Sequence, residues 1–222
     1  FGFGFGGYDA WMHGGKNNSE WFARNAGTHD VEAADRLLNP YILTSPESTA
    51  PRPPLKLAPD APTRKTEQAP VFRDPSDRES WARWSLTTWQ SVLTPGVSCY
   101  DDLGTSYLMN LKWADVPFLP IPTTVAESKK LLSFVTSRIN AADGFMPSRL
   151  VWLNDQYADV IVYADADEQI KNSYADINKS LLAFLDGHAA YHRLTPGKKQ
   201  ESFIAPAYSF IVDGIPVPPN WR

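Results

Sequence analysis

Residues 170–188, IKNSYADINKSLLAFLDGH, carry the strongest structural pattern in the chain. Apolar side chains recur there every three or four positions, which is the spacing of one face of an α-helix. Acidic residues precede the segment, where the helix dipole favours negative charge. The apolar face consists of Ile170, Tyr174, Ile177, Leu181, Phe184, Leu185 and His188, and the acidic residues are Asp165, Asp167 and Glu168. This pattern predicts a long amphipathic helix.

Two earlier segments begin with a capping box, a serine or threonine followed three residues later by glutamate. In that motif the hydroxyl satisfies an early helical N–H and the glutamate reaches back to the cap. Ser76 with Glu79 and Thr124 with Glu127 have this form. The positions that follow at helical spacing are Trp81, Trp84, Thr88 and Val92, and then Leu131, Leu132, Val135 and Ile139. Both segments are therefore predicted to be helices.

A further helix is predicted after Pro147-Ser148, although its centre, Val160–Val162, would also suit a β-strand. Its apolar positions are Leu150, Leu153, Tyr157, Val160, Ile161 and Ala164. Four amphipathic helices joined by short or proline-rich loops predict a bundle. The expected fold class is all-α, with a four-helix bundle over residues 76–200.

The residues on either side of this bundle predict extended arms. Residues 1–43 form an N-terminal arm that begins with alternating phenylalanine and glycine, and residues 44–75 form a proline-rich linker. Proline suits neither a helix interior nor a central strand. Residues 201–222 mix prolines with apolar side chains, which predicts a second arm packed on its own bundle or on a neighbour.

The arms supply the candidate contacts with a partner. Large aromatic side chains dominate the binding energy of many interfaces. A PxxP segment such as Pro51 to Pro54, followed by Lys56, has the form that docks in aromatic grooves. The residues expected to bind a partner are Phe1, Phe3, Phe5, Trp11, Trp21, Pro51, Pro54, Phe210 and Trp221.

Composition excludes several classes of function. The chain has 222 residues and a net charge of -4, whereas nucleic-acid binding needs a concentrated basic face. No stretch approaches the roughly 20 apolar residues that span a bilayer, so the protein is expected to be peripheral to a membrane at most. The single cysteine, Cys99, excludes an intramolecular disulfide and is expected to be a buried structural thiol.

No motif predicts a catalytic residue, a cofactor or a resident metal. His188 and His192 would align on a helix and could bind a metal with Asp155 or Asp159, but a core histidine beside a capping one is the favoured interpretation. Gly2, Gly4 and Gly7 match a nucleotide-binding spacing without the preceding strand that this motif requires. A helical metal-dependent enzyme remains an alternative prediction.

Residues 181–191, LLAFLDGHAAY, followed by Pro196 and Lys198-Lys199, resemble the last helix of small lumenal helical-bundle proteins of photosystem II. A proline-rich arm before a bundle is also similar to the extrinsic subunits of that complex. The resemblance implies a non-enzymatic protein of the plastid thylakoid lumen that docks on other subunits. The leading prediction is therefore an accessory or structural subunit of a large assembly, and the alternative is a viral coat or coat-decorating protein in a virion.

Overall fold

The structure, a computed structural model, describes residues 70–84, 91–110, 125–197 and 203–212. After a 3-10 turn at Pro70–Phe72, the described elements are β1 (Glu79–Trp84), β2 (Ser91–Pro95), α1 (Cys99–Leu103), β3 (Tyr107–Met109), α2 (Val125–Phe145), β4 (Val151–Asp155), α3 (Gln156–Tyr163), β5 (Lys179–Phe184) and β6 (Ala189–Arg193). The strands form two antiparallel sheets, one of β1 and β2 and one with the order β3-β4-β5-β6. The fold class is therefore mixed α/β.

The predicted all-α four-helix bundle is wrong, first because the segment after Ser76 forms a β-hairpin. β1 pairs with β2 in antiparallel register, with Glu79 opposite Pro95. Ser76 does not cap a helix, because its backbone N–H and its hydroxyl both donate to Asp74 Oδ1, at 2.8 and 2.7 Å. A local serine–aspartate turn thus replaces the predicted capping box.

The predicted helix over residues 170–188 is also wrong. Ala175 and Asn178 have φ angles of 66° and 52°, which belong to the left-handed region and interrupt any right-handed helix. Strand β5 follows, with Ser180, Leu182 and Phe184 buried and the residues between them partly exposed. This segment is a strand because β4 and β6 pair with it on either side. Its side chains therefore point alternately to the two sides of the sheet.

The helix predicted after Thr124 is confirmed as α2, Val125–Phe145, although Thr124 itself lies outside the described residues. The next predicted helix is half right. Its first part is β4, and its second part is α3, which Asp155 caps with its side chain. Val160–Val162, the stretch that also suited a strand, is helical.

The structure divides into two compact units. The described part of the first unit comprises residues 70–84, 91–109 and 173–176. The Asp77 carboxylate lies at the start of α1 and accepts hydrogen bonds from the N–H groups of Cys99 and Tyr100, each at 2.9 Å, and from the Ser106 hydroxyl. Burial raises the pKa of Asp77. This carboxylate therefore joins three segments of the unit in one polar centre.

The second unit contains α2, β4, α3, β5 and β6, and residues 203–212 pack in its core. One apolar cluster consists of Ala142, Met146, Leu150 and Val212. The backbone N–H of Val151 donates to the Ser209 carbonyl at 2.8 Å, which ties the C-terminal segment to β4. The sequence predicts a C-terminal arm that packs either on its own domain or on a neighbour. Residues 203–212 pack on the chain's own second unit.

The predicted N-terminal arm, residues 1–43, and most of the linker, residues 44–75, lie outside the described residues, which begin at Pro70. The same holds for the end of the C-terminal arm beyond Val212. Within the parts of the chain that the structure describes, no helix has both the length and the apolar character that crossing a bilayer requires.

Candidate functional site

The hairpin of β5 and β6 presents the most distinctive surface of the second unit. The Gly187 N–H donates to the Phe184 carbonyl and the Phe184 N–H to the His188 carbonyl, both at 2.9 Å. Gly187 has a φ of 89°, the left-handed conformation that a three-residue hairpin loop requires and that glycine adopts without steric cost. This turn sets the register of the two strands.

Gly187→Ala tests that turn. We expect it to lower the free energy of unfolding by about 1–2 kcal/mol, because an L side chain is strained at this φ. The added methyl would meet no atom within 4 Å, so the cost is one of backbone conformation alone. Urea denaturation followed by tryptophan fluorescence measures it.

Gly144→Ala is the matched control. Gly144 lies in α2, and a methyl there would also meet no atom within 4 Å. Because glycine is a poor helix residue, this change should stabilise the chain by up to about 1 kcal/mol. Equal effects of the two substitutions would contradict the role assigned to the turn.

Alternate residues of the hairpin point to opposite sides of the sheet. Ser180, Leu182 and Phe184 face the core. The other set forms a surface that we call the outer face, in which Lys179 lies opposite Arg193, Leu181 opposite Tyr191 and Ala183 opposite Ala189. The outer face thus combines an apolar centre with two cations at the end farthest from the turn.

Tyr191 is the aromatic centre of the outer face and is 39% exposed. Its hydroxyl accepts a hydrogen bond from the buried Asn172 amide nitrogen, which also donates to the Lys179 carbonyl at 2.9 Å. The Lys179 ammonium lies 5.4 Å from the centre of the tyrosine ring, within the range of a cation–π contact. An exposed aromatic side chain that is held at its hydroxyl and over its ring loses little conformational entropy when a partner packs against it.

The other side of the hairpin carries the two histidines. The Phe184 ring stacks on His188, with ring centres 4.3 Å apart, and meets His192 edge-on at 5.7 Å. Burial, followed by the charge of His188, lowers the pKa of His192. His188 Nδ1 lies 2.6 Å from Asp186 Oδ1, and this hydrogen bond lowers the pKa of Asp186.

The histidine pair predicted as a metal site lies on a hairpin, not along one side of a helix. Asp155, one of the expected additional ligands, is buried and occupied by hydrogen bonds, and Asp159 lies on α3. Among the described residues, no three His, Cys, Asp or Glu side chains are grouped closely enough to hold a metal ion.

Asp155 joins three elements of the second unit. Its carboxylate accepts hydrogen bonds from the Tyr157 N–H at 3.0 Å, the Ser180 hydroxyl at 2.6 Å and the Leu181 N–H at 2.9 Å. Burial raises the pKa of this carboxyl to about 6, and the hydrogen bonds that it accepts oppose the rise. The end of β4, the start of α3 and the start of β5 are therefore held at one point.

A hydrolase triad consists of a serine, a histidine and an aspartate, and these residue types occur together here. His192 lies opposite Ser180 in the strand register, and Asp155 contacts Ser180. In such a triad the serine hydroxyl donates to the imidazole, and the imidazole donates to the carboxylate. Here the Ser180 hydroxyl donates directly to Asp155, and the serine is fully buried. This arrangement stabilises the fold and does not present a nucleophile.

The residues predicted to bind a partner are mostly outside the described part of the chain. These are Phe1, Phe3, Phe5, Trp11, Trp21, Pro51, Pro54 and Trp221. Phe210 is described and is fully buried in its own unit, with its ring centre 5.7 Å from that of Tyr208. The Cys99 side chain is fully buried, which confirms the predicted burial of this thiol.

Sequence reasoning missed the outer-face residues, chiefly Leu181 and Tyr191. The signal that could have found them is Asp186-Gly187, a turn dipeptide between two runs that suit a strand. Asp186 and Gly187 lie within residues 170–188, where the apolar spacing predicted a helix. The helical spacing of the apolar residues was therefore given more weight than the turn preference of these two residues.

No protein-family model, curated protein sequence or solved structure matches this chain. Residues 181–191, on which the resemblance to lumenal photosystem II proteins rests, form a β-hairpin here and not the last helix of a bundle. The association with a photosystem stays a prediction.

Proposed function

We propose that this protein is a non-enzymatic accessory subunit of a larger protein assembly and that the outer face of the hairpin docks on its partner. The observation that carries the proposal is the exposed Tyr191 ring, which Asn172 and Lys179 hold in place beside Leu181. Tyrosine and arginine are enriched among the residues that dominate binding energies, and both occur on this face.

The two buried carboxylates, Asp77 and Asp155, have a role in holding the fold together. Asp77 and Asp155 each accept hydrogen bonds from three donors that lie on two different segments. A buried carboxylate that accepts hydrogen bonds in this way stabilises the junction of those segments and is not exposed to a substrate. Folding therefore explains the presence of the two buried carboxylates, whereas it does not explain the exposed side chains of the outer face.

Tyr191→Thr tests the docking face while retaining a side chain that suits a strand. We expect the affinity for the partner to fall about thirtyfold, because truncating a central interface tyrosine typically costs about 2 kcal/mol. The measurement is co-purification of the tagged full chain from its native source, with quantitative mass spectrometry of stoichiometric partners. Photosystem subunits among them would support the assembly that the resemblance implies.

Val71→Thr is the matched control, because Val71 is 66% exposed and lies in the first unit. This variant should recover its partner at the wild-type level. Both variants should keep the wild-type circular dichroism spectrum. Undiminished recovery of the partner by Tyr191→Thr would refute docking through the outer face.

The viral coat alternative makes a different prediction about the purified chain. A coat protein self-assembles, whereas an accessory subunit is expected to remain a monomer in the absence of its partner. Light scattering of the purified full chain distinguishes the two, and assembly into large closed particles would favour the coat function over the proposal.

A further inference from the structure

The positive charge of the outer face is concentrated at one end. Lys179 lies directly opposite Arg193 across the two strands, and like charges in that position destabilise a strand pair. Arg193 is exposed, and it forms no ion pair with any residue in the part of the chain that the structure describes. The charge of Arg193 therefore contributes little to the stability of the described part of the chain.

The negative charge of the hairpin lies at its other end. Asp186 is the sole acidic residue between Lys179 and Arg193, and it occupies the turn. Its carboxylate is already engaged by the His188 ring at 2.6 Å. The hairpin is thus polarised along its length, and Asp186 does not neutralise Arg193 at the basic end.

The cations adjoin the apolar pair. Lys179 and Leu181 are two positions apart along β5, and so are Tyr191 and Arg193 along β6, which corresponds to about 7 Å. An extended peptide places its own alternate side chains at the same interval. One short segment could therefore set an apolar side chain against Leu181 and Tyr191 and a carboxylate against the basic end.

We infer that the partner docks on the outer face with an acidic segment that carries a carboxylate two residues from an apolar side chain. The inference rests on the proposed function and adds the chemistry of the partner. The Arg193 guanidinium presents a planar set of N–H donors that matches a carboxylate. A protein is favoured over a nucleic acid, because the chain has a net charge of -4 and a nucleic acid would need a wider basic face than these two cations provide.

Arg193→Glu tests this inference in the full chain, with Lys129→Glu as the matched control. Lys129 is exposed on α2, so both variants change the net charge equally. The probes are three fluorescent twelve-residue peptides in which every second residue is alternately leucine and a test residue, with serine between them, together with a twelve-nucleotide oligonucleotide. The test residue is glutamate, glutamine or lysine, so that leucine and the test residue lie on the same side of the extended peptide. Fluorescence anisotropy at low salt gives the affinities.

We expect the glutamate peptide to bind wild type at least about tenfold more tightly than the glutamine peptide, and more weakly as salt is added. Arg193→Glu should remove that preference, and Lys129→Glu should change it less than about twofold. Equal affinities for the glutamate and glutamine peptides would overturn the inference. So would an equal loss in both variants, or tighter binding of the oligonucleotide.

Comparison of Arg193→Glu with Tyr191→Thr separates this inference from the proposed function. In the co-purification assay, Arg193→Glu should lose the partner about as completely as Tyr191→Thr does. If Arg193→Glu retains the partner while Tyr191→Thr loses it, the outer face is a docking site but its partner is not acidic. If both retain the partner, the proposed function fails as well.

Discussion

Replacing Asp155 with alanine is expected to lower the free energy of unfolding by about 3–5 kcal/mol. The substitution removes the cap of α3, which is worth about 1 kcal/mol, and leaves buried donors without an acceptor, at about 1–3 kcal/mol each. The donors are the N–H groups of Tyr157 and Leu181 and the hydroxyl of Ser180. Urea denaturation of the purified chain measures the loss.

Asp155→Asn is the control, and it also reveals the titration of the carboxyl. The folded pKa is raised to about 6 from 3.8, so the folded chain binds the proton more tightly than the unfolded chain does. This contribution to stability is fully present below pH 4 and is lost as the pH rises through about 6. Over that window, the stability of wild type relative to Asp155→Asn should fall by about 3 kcal/mol.

Because the other carboxylates titrate in both proteins, their contributions cancel in the comparison. Unfolding curves at pH 4, 5, 6 and 7 supply the measurement. A stability difference that stays constant across those values would show that Asp155 does not titrate in this range. A loss below about 1 kcal/mol in Asp155→Ala would show that the carboxylate does not hold the three elements together.

Phe210→Ala is expected to destabilise the purified chain by about 3–5 kcal/mol, the usual result of truncating a buried phenylalanine. The ring is fully buried and contacts Tyr208, and the backbone carbonyl of Phe210 accepts a hydrogen bond from Asn110 at 2.9 Å. Domains are commonly stable by only about 5–15 kcal/mol, so the variant should show a much lower Tm by calorimetry.

Phe210→Leu is the matched control, because it retains most of the apolar volume and should cost less than about 2 kcal/mol. The test distinguishes a core residue from the partner contact that the sequence predicted. A partner contact would leave the isolated chain as stable as wild type. If Phe210→Ala unfolds at the wild-type urea concentration, the ring is not a core residue.

The sequence by itself was sufficient for the long helix α2. Its apolar spacing extends over several turns, and a strand of 21 residues would be exceptional. The burial of Cys99 followed from residue type in the same way, since a lone thiol in a folded domain is usually buried. Both features depend on local preferences that no other part of the chain reverses.

Residues 170–188 show where such reasoning fails. Leu181, Phe184 and Leu185 fit one face of a helix, yet Ser180, Leu182 and Phe184 fit one face of a strand. Propensity differences of less than about 1 kcal/mol per residue do not separate the two, and the hydrogen bonds of a strand require neighbours elsewhere in the chain. Pairing with β4 and β6 resolved the ambiguity.

The candidate site depends on that pairing entirely. Sequence alone determined which apolar, aromatic and basic side chains are available and that Asp186-Gly187 favours a turn. Only the tertiary structure decided that Leu181 meets Tyr191 and Lys179 meets Arg193, since a shift of one residue in register would turn every one of these side chains to the core. The turn sets which residues of β5 and β6 face each other, but pairing with β4 decides that this segment is a strand and not a helix, and local preferences carry no information about such a distant contact.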